Sequence, residues 1–231
     1  PRHSSSAASD VYKRQCIAMS ADYLIIGHPK ETVSSNDYVG AAYIYALSDG
    51  SLLRKTSWPS DFTYYADSPP VFGKVVKFNL DGSKYGVAAH RNMPRAVSDT
   101  STQKGLGRVY VFNTSTGSLE NTFVNPNTSG EVTLSGSETM FGFEFDLNNT
   151  QIFIGDHRYG TASNRFLGRV YEYALSDSSL TTTIDKPSSL DSGSVNANQE
   201  IGRGVRISSN KELIITNTGS GTRRVLIYGA S

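Results

Sequence analysis

The strongest constraint on this chain is an internal repeat that occurs four times. A short apolar segment ending in a small residue recurs at steps of roughly sixty positions, which is typical of a repeat architecture. A second apolar segment follows each copy after a polar stretch. The first segments are residues 23–27, 85–89, 152–155 and 213–216, and the second are residues 40–45, 107–112, 168–173 and 223–228.

The residues of these segments indicate β-strands. Branched and aromatic residues alternate along them, as in the Arg-Val-Tyr-Val-Phe run at residues 108–112, and successive side chains of a strand point to opposite faces of its sheet. Turn-forming pairs such as Asp49-Gly50 and Asp81-Gly82 separate the segments. No segment sustains a helical period, so the sequence predicts an all-β chain.

Two further elements make each unit four short strands. A Phe-Gly or Ile-Gly pair opens three units at Phe72, Phe141 and Ile201, and a Ser-Leu pair begins the last strand of three units at residues 51, 118 and 179. One four-stranded sheet of this size cannot bury both of its faces, so the copies must stack on one another. We predict a β-propeller of four-stranded antiparallel blades rather than a β-sandwich, because the four-strand period is regular.

These motifs resemble the FG-GAP repeats of integrin-type β-propellers. The Phe-Gly and Ile-Gly pairs carry the resemblance, together with Gly27-His28-Pro29 at the Gly-Ala-Pro position and the Gly-x-x-Tyr segments, over about residues 16–231. The resemblance is greatest to short repeats of microbial or viral surface proteins. It implies an extracellular location or a cell or virion surface, and a protein or glycan ligand.

The repeat divides the chain into a leader and about four blades. Residues 1–15 carry no apolar segment and no strand or helix period, and we interpret them as a non-native or disordered leader. The first unit lacks a Phe-Gly pair, and the last ends after its third strand. We therefore expect a fragment of a propeller of about seven blades, with neighbouring blades of the parent chain as partners; the alternative is a closed four-blade ring in which the tail supplies the missing strand. The blades are expected at about residues 16–62, 71–134, 140–195 and 200–231.

The turns between the first two strands depart from those of calcium-binding FG-GAP units. Calcium takes six or more oxygen ligands. Residues 79–82 (Asn-Leu-Asp-Gly) and 146–149 (Asp-Leu-Asn-Asn) offer few carboxylate or amide ligands at the required spacing. We expect hairpin turns at these positions and no cofactor; calcium is the alternative that the spacing disfavours.

Histidines and basic residues cluster at the ends of the second strands and in the loops that follow. The three histidines here occupy nearly the same repeat position, and loops on a rigid scaffold often carry binding residues. Packing or capping at the strand ends is the more common role of such histidines, and residues on separate blades are typically too far apart to share a metal ion. The candidate ligand-binding residues are His28, Lys30, His90, Arg91, Arg95, His157, Arg158 and Tyr159.

Charge and motif content argue against several other functions. The 22 Lys and Arg residues balance 21 Asp and Glu residues, too evenly for binding nucleic acid through bulk charge. No apolar run has membrane-spanning length, so we expect no membrane insertion. The Gly-x-Ser-x-Gly, His-Glu-x-x-His and Cys-x-x-Cys motifs are absent, and the single cysteine, Cys16, excludes an internal disulfide.

The sequence therefore predicts a non-catalytic binding or adhesion module that presents loops to a protein or glycan. A structural repeat or assembly unit of a surface or virion protein is the first alternative. A propeller-based hydrolase or lyase is the second, and it would need convergent carboxylates or histidines in a central pocket. Glu144 and Asp146 alternate on one strand and could face a central channel, although a solvated face is the more common role of such a pair.

Overall fold

The structure, a computed structural model, consists of small antiparallel sheets that follow one another along the chain. It describes residues 16–34, 36, 38–59, 69–90, 107–126, 140–160, 167–185, 187, 200–208, 212–217 and 224–228. The first two sheets contain β1 (Ile17–Met19), β2 (Tyr23–His28), β3 (Ala41–Ala46), β4 (Leu52–Ser57), β5 (Val76–Phe78), β6 (Lys84–Ala89), β7 (Arg108–Asn113) and β8 (Leu119–Val124). The last two contain β9 (Phe141–Leu147), β10 (Gln151–Asp156), β11 (Arg169–Ala174), β12 (Leu180–Ile184), β13 (Gly204–Ile207), β14 (Leu213–Asn217) and β15 (Arg224–Tyr228).

Each sheet is a meander in which every strand pairs with the next strand of the sequence. Strands β1–β4, β5–β8 and β9–β12 form three four-stranded sheets, here called blades 1, 2 and 3. Blade 4 comprises β13–β15 within the described residues. The first strands of consecutive blades contact each other, β1 with β5, β5 with β9 and β9 with β13, so these strands lie innermost around a common axis.

The hydrophobic core lies between the blades. Alternating side chains of each strand point to the preceding blade, on the leading face, or to the following blade, on the trailing face. The blade 1–2 cluster includes Ile25 and Ile44 of the trailing face and Val76 and Tyr85 of the leading face, all fully buried. A blade 2–3 cluster and a blade 3–4 cluster repeat this arrangement. Stacking of neighbouring blades therefore stabilises the fold, as in other repeat proteins.

The turns between the first two strands of blades 2 and 3 use their own polar side chains. Asp81 accepts a hydrogen bond from the backbone N–H of Ser83, with an N–O distance of 2.9 Å. Asn148 accepts hydrogen bonds from the backbone N–H groups of Thr150 and Gln151, at 2.8 and 2.7 Å. These segments are hairpin turns whose side-chain oxygens bind the turn backbone.

Two sequence motifs meet at each boundary between blades. The Phe72 N–H donates to the carbonyl of Val39 at 3.0 Å, so the Phe-Gly pair of blade 2 lies beside the glycine that precedes the third strand of blade 1. The Ile201 N–H donates to the carbonyl of Leu167 in the same way, at 3.2 Å. The Phe-Gly motif and the Gly-x-x-Tyr motif are thus two halves of one contact between consecutive blades.

Candidate functional site

The loop face is the edge of the blades where second strands end and third strands begin. In blade 1 the Glu31 N–H donates to the carbonyl of His28 at 3.2 Å, and the Gly40 N–H donates to the carbonyl of Glu31 at 3.0 Å. In blade 3, Tyr159 takes the place of Glu31 and makes the corresponding two hydrogen bonds. The strand registers therefore place His28 level with Asp156 and Glu31 level with Tyr159. The described candidate residues of this face are His28, Lys30, His90, His157, Arg158 and Tyr159.

In blade 1, Glu31 is the centre of a polar network. Its carboxylate accepts a hydrogen bond from the Tyr43 hydroxyl at 2.6 Å, forms an ion pair with Lys55 and lies 3.4 Å from Nδ1 of His28. Burial acts to raise the pKa of Glu31, but hydrogen bonds from Lys55, Tyr43 and His28 outweigh it and leave the pKa lowered. The carboxylate is therefore charged at neutral pH and fixes the surrounding side chains.

The remaining blade 1 candidates are open to solvent. The His28 side chain is 57% exposed beyond its contact with Glu31. The Lys30 ammonium lies 5.7 Å from the ring centre of Tyr38, and both residues are exposed. A cation beside an exposed aromatic ring, next to a histidine, is a surface that a macromolecular partner can contact.

The other two candidate histidines are buried around one phenylalanine. His90 and His157 are only 2% and 3% exposed, and their rings lie 5.6 and 4.4 Å from the ring centre of Phe143 in edge-on contacts. Phe143 comes from β9, the innermost strand of blade 3. Burial lowers the pKa of His157 to about 4, so this imidazole is neutral at neutral pH. This geometry agrees with a packing role for both side chains at the strand ends.

Asp156 was not among the residues expected from the sequence. It is fully buried, and its carboxylate accepts hydrogen bonds from the Met140 N–H at 2.9 Å and from the Asn125 side chain at 3.1 Å. Burial raises the pKa of Asp156 to about 6, against the opposing effect of these hydrogen bonds. The signal available in the sequence was its repeat position, which His28 occupies in blade 1. Through the hydrogen bond from Met140, Asp156 connects the start of β9 to the loop face.

Tyr159 contributes to an aromatic and cationic stack rather than to an open surface. The Arg169 guanidinium lies 3.8 Å from the Tyr159 ring centre and is held by Asp185 through two hydrogen bonds of 2.5 and 3.0 Å. Tyr159 is buried beneath this arginine, whereas Arg158 is partly exposed.

The blade 1 and blade 3 candidates thus lie on non-adjacent blades and form separate sets. Arg91 and Arg95 lie outside the described residues.

The innermost strands carry a second group of charges. Glu144 pairs with Lys77 of blade 2 at 3.4 Å and with Arg206 of blade 4. Asp146 accepts a hydrogen bond from the Ile207 N–H at 2.9 Å, and burial raises its pKa. The two carboxylates therefore form contacts between blades and do not make up a solvated face. Among the described residues, no group of three or more His, Cys, Asp and Glu side chains could hold a metal ion.

A cavity lies away from the loop face. It is a cleft of about 790 Å³ between blades 2 and 3, at the opposite edge, where the hairpin turns of the first two strands lie. Most of its lining residues are polar, and they include the ion-paired Lys84 and Glu120, with Asn121, Asn149 and Gln151. Sequence reasoning did not find this cleft because it depends on residues of two blades.

None of the described residues forms a helix that is long and apolar enough to cross a bilayer.

Comparisons with known proteins identify the fold. No protein-family model matches the chain, and no curated protein matches its sequence. The crystal structure of RRP9 WD40 repeats is similar, with a TM-score of 0.52 and 10% identity over 93% of this chain and 50% of that chain. The structure of U3-55K has the same TM-score and identity and is covered over 51% of its length. The Dos1 propeller has a TM-score of 0.45 and 16% identity over 89% of this chain and 42% of that one.

This chain therefore spans about half the length of the solved structures that it matches. Likeness at such low identity establishes the architecture and nothing more specific. The stacked meanders of blades 1–4 and the similarity to WD40 structures lead to the same conclusion: the chain is an all-β protein with four-stranded β-propeller blades.

Proposed function

We propose that this chain is a non-catalytic binding module whose loop face contacts a protein or glycan partner. The observation that carries this proposal is the shared backbone of the loop-face turns in blades 1 and 3, which hold different side chains at equivalent positions. Blade 1 presents His28, Lys30 and Tyr38 to solvent beside a fixed ion-pair network. A constant scaffold with varied polar and aromatic side chains is typical of a recognition surface.

The FG-GAP type of repeat and a location at a cell or virion surface form part of the same proposal. They rest on the sequence resemblance, and the contact between Phe72-Gly73 and the turn before β3 supports the repeat type. A hydrolase or lyase receives less support, because Glu144 and Asp146 are engaged in contacts between blades. An assembly unit is the second candidate, and the exposed leucines at the start of the outermost strands, Leu52, Leu119 and Leu180, favour it.

A binding screen with matched variants tests the proposal. The purified chain is applied to an array of glycans and to a display library of extracellular protein domains. In the loop-face variant, His28→Ala, Lys30→Glu and Arg158→Glu are combined. We expect the variant to bind the selected partner at least about tenfold more weakly, since exposed contact residues carry most of the binding free energy.

A charge reversal at the opposite edge provides the control. Asp22 is exposed in the turn between β1 and β2, and Asp22→Lys should leave binding unchanged. A partner that binds the loop-face variant as tightly as the unmodified chain would contradict the proposal. Failure to bind any glycan or protein domain would also contradict it.

A further inference from the structure

An arginine occupies the boundary between blades 1 and 2 at the edge where the hairpin turns lie. Arg54 donates hydrogen bonds to the carbonyl oxygens of Thr114 and Ser115, at 2.8 and 3.0 Å. It also packs closely on Gly117, since a β-carbon placed there would stand 2.3 Å from the Arg54 Nε. The guanidinium therefore covers this edge of the boundary.

Asn121 takes the place of Arg54 at the boundary between blades 2 and 3. Both residues pair with the last position before the bulge in the third strand of their blade. The Asn121 amide donates to the carbonyl of Leu175, the blade 3 equivalent of Thr114, at 3.0 Å, and to the Ser178 hydroxyl at 2.9 Å. Because asparagine is shorter than arginine, it reaches the next blade without covering the edge. The cleft of about 790 Å³ lies at this place.

A buried acceptor in the wall of the cleft has no partner within the described part of the chain. Asn121 lines the cleft and is only 7% exposed, and its Oδ1 accepts no hydrogen bond from a described residue. Exchanging the amide oxygen and nitrogen would set two oxygens against each other at Leu175. A buried acceptor without a donor is unfavourable, so a ligand group that donates to this oxygen is favoured.

The remaining lining combines donors and acceptors without a net charge. Lys84 and Glu120 form an ion pair, and the hydrogen bond from Lys84 lowers the pKa of Glu120, so both groups are charged at neutral pH and cancel each other. The Asn149 oxygen accepts a hydrogen bond from Asn79 at 3.0 Å, which leaves the amide N–H groups of Asn149 as donors. Hydroxyl groups of the lining belong to Thr150, Ser176 and Thr181.

This combination suits a ligand whose groups both donate and accept hydrogen bonds. A sugar hydroxyl can donate to a carboxylate or amide oxygen and accept from an amide N–H at the same time. The charge of Glu120 opposes an anionic ligand, and that of Lys84 opposes a cationic one. The volume of the cleft lies within the range of small-molecule sites, about 300 to 1,000 Å³.

We propose that the cleft between blades 2 and 3 binds a neutral saccharide, whose hydroxyl groups bond to Asn121, Glu120 and Asn149. The site lies at the edge opposite the loop face and uses none of the loop-face residues. It is therefore a second binding site, and its failure would leave the proposed function of the loop face untouched.

Nuclear magnetic resonance of the ¹⁵N-labelled chain tests this proposal at the level of single side chains. The probes are neutral tri- and tetrasaccharides of glucose, galactose, mannose and N-acetylglucosamine, each titrated into the millimolar range. At least one of them should shift the side-chain amide signals of Asn121 and Asn149 with a saturating dependence on concentration. Triphosphate and tri-arginine are the charged probes and should leave these signals unchanged.

A variant that fills the cleft with a contact the chain already uses tests the location of the site. Asn121→Arg combined with Ser178→Gly rebuilds at this boundary the arrangement of Arg54 over Gly117. The double variant should remain folded and should bind the active saccharide at least about tenfold more weakly. Leu53→Arg is the matched control, because Leu53 is exposed on the outermost strand of blade 1 and the substitution adds the same charge. It should leave binding unchanged.

Glu120→Gln provides a second variant that does not alter the packing of the blades. It keeps the shape of the side chain but replaces a charged acceptor by a neutral one, and binding should weaken about tenfold. The loop-face variant should bind the same saccharide as tightly as the unmodified chain does. Saccharides that the filled-cleft variant no longer binds are assigned to the cleft and set aside from the test of the loop face.

Three results would overturn the proposal. The first is that no saccharide of the panel shifts the amide signals of Asn121 and Asn149. The second is saccharide binding that is equally tight in the filled-cleft variant, confirmed as folded by circular dichroism, and in Glu120→Gln. The third is a response of the two amide signals to triphosphate or tri-arginine in place of the saccharides, because it would indicate a site for a charged ligand.

Discussion

Gly107 lies so close to Phe141 of the next blade that a β-carbon on Gly107 would stand 1.9 Å from the Phe141 carbonyl oxygen. Gly40 and Gly168 hold the same position in blades 1 and 3, against Phe72 and Ile201. At Gly107 the neighbouring backbone requires the glycine, and Gly40 and Gly168 also have positive φ angles of 87° and 76°. This contact explains why two short motifs recur together along the chain.

Replacing Gly107 should destabilise the stack of blades. Gly107→Ala forces the Phe141 backbone to move, and overpacking of this kind costs about 3 kcal/mol. Urea denaturation followed by tryptophan fluorescence and circular dichroism measures the change in the free energy of unfolding.

Gly50 is the matched control for this substitution. Its φ is +73°, but no atom lies within 4 Å of a β-carbon placed there. Gly50→Ala should cost only about 1 kcal/mol, from the left-handed backbone conformation alone. Equal losses for the two variants would show that the approach of Phe141 does not limit residue 107.

Part of this arrangement could be predicted from the sequence. The alternation of apolar residues, the turn pairs and the repeat step predict four-stranded blades, because these signals are local. The roles of His90 and His157 could not be predicted in the same way. Phe143 contacts His157 within blade 3 and contacts His90 of blade 2 only once the two blades have packed together. Asp156 was missed for the same reason, since Met140 and Asn125 determine its environment.

Asp156 and His157 should have opposite effects on stability between pH 4 and 6.5. The pKa of Asp156 is raised from 3.8 to about 6, so the folded chain retains a proton that the unfolded chain loses; acidification through this range favours folding. The pKa of His157 is lowered from 6.5 to about 4, so the unfolded chain binds a proton that the folded chain does not. Acidification through the same range then favours unfolding, and the two effects largely cancel.

Single substitutions should expose each effect separately. Relative to the unmodified chain, Asp156→Asn should lose about 2 to 3 kcal/mol of stability on acidification across this range, and His157→Phe should gain a similar amount. Urea denaturation at several pH values measures how the free energy of unfolding of each variant changes with pH. If the free energy of unfolding changed with pH in the same way for the two variants and the unmodified chain, these pKa values would be contradicted.

The hydroxyl groups of Thr56 and Tyr85 should be energetically coupled. They lie 2.7 Å apart across the boundary between blades 1 and 2, and both side chains are buried. Thr56→Val leaves a buried hydroxyl without this partner and should cost about 1 to 2 kcal/mol. In a double-mutant cycle, Thr56→Val combined with Tyr85→Phe should cost about 1 kcal/mol less than the sum of the single variants. Strict additivity would show that this hydrogen bond makes no net contribution.

Cys16 should report on the opening of blade 1, because it is the single cysteine of the chain. It is buried, its Sγ lies 3.1 Å from the carbonyl oxygen of Lys74, and burial raises the pKa of the thiol to about 11. The folded chain should therefore react slowly with a thiol reagent near neutral pH, since reaction requires an exposed thiolate.

A pair of Val→Ala variants then tests whether the blades open separately. Val76→Ala in the blade 1–2 cluster should accelerate labelling of Cys16 about tenfold, because it leaves a cavity beside blade 1. Val205→Ala makes the same chemical change in the blade 3–4 cluster and should leave the labelling rate nearly unchanged. Each blade contacts mainly its neighbours, so loss of packing at one boundary should stay local. Equal acceleration by both variants would mean instead that the four blades unfold as one cooperative unit.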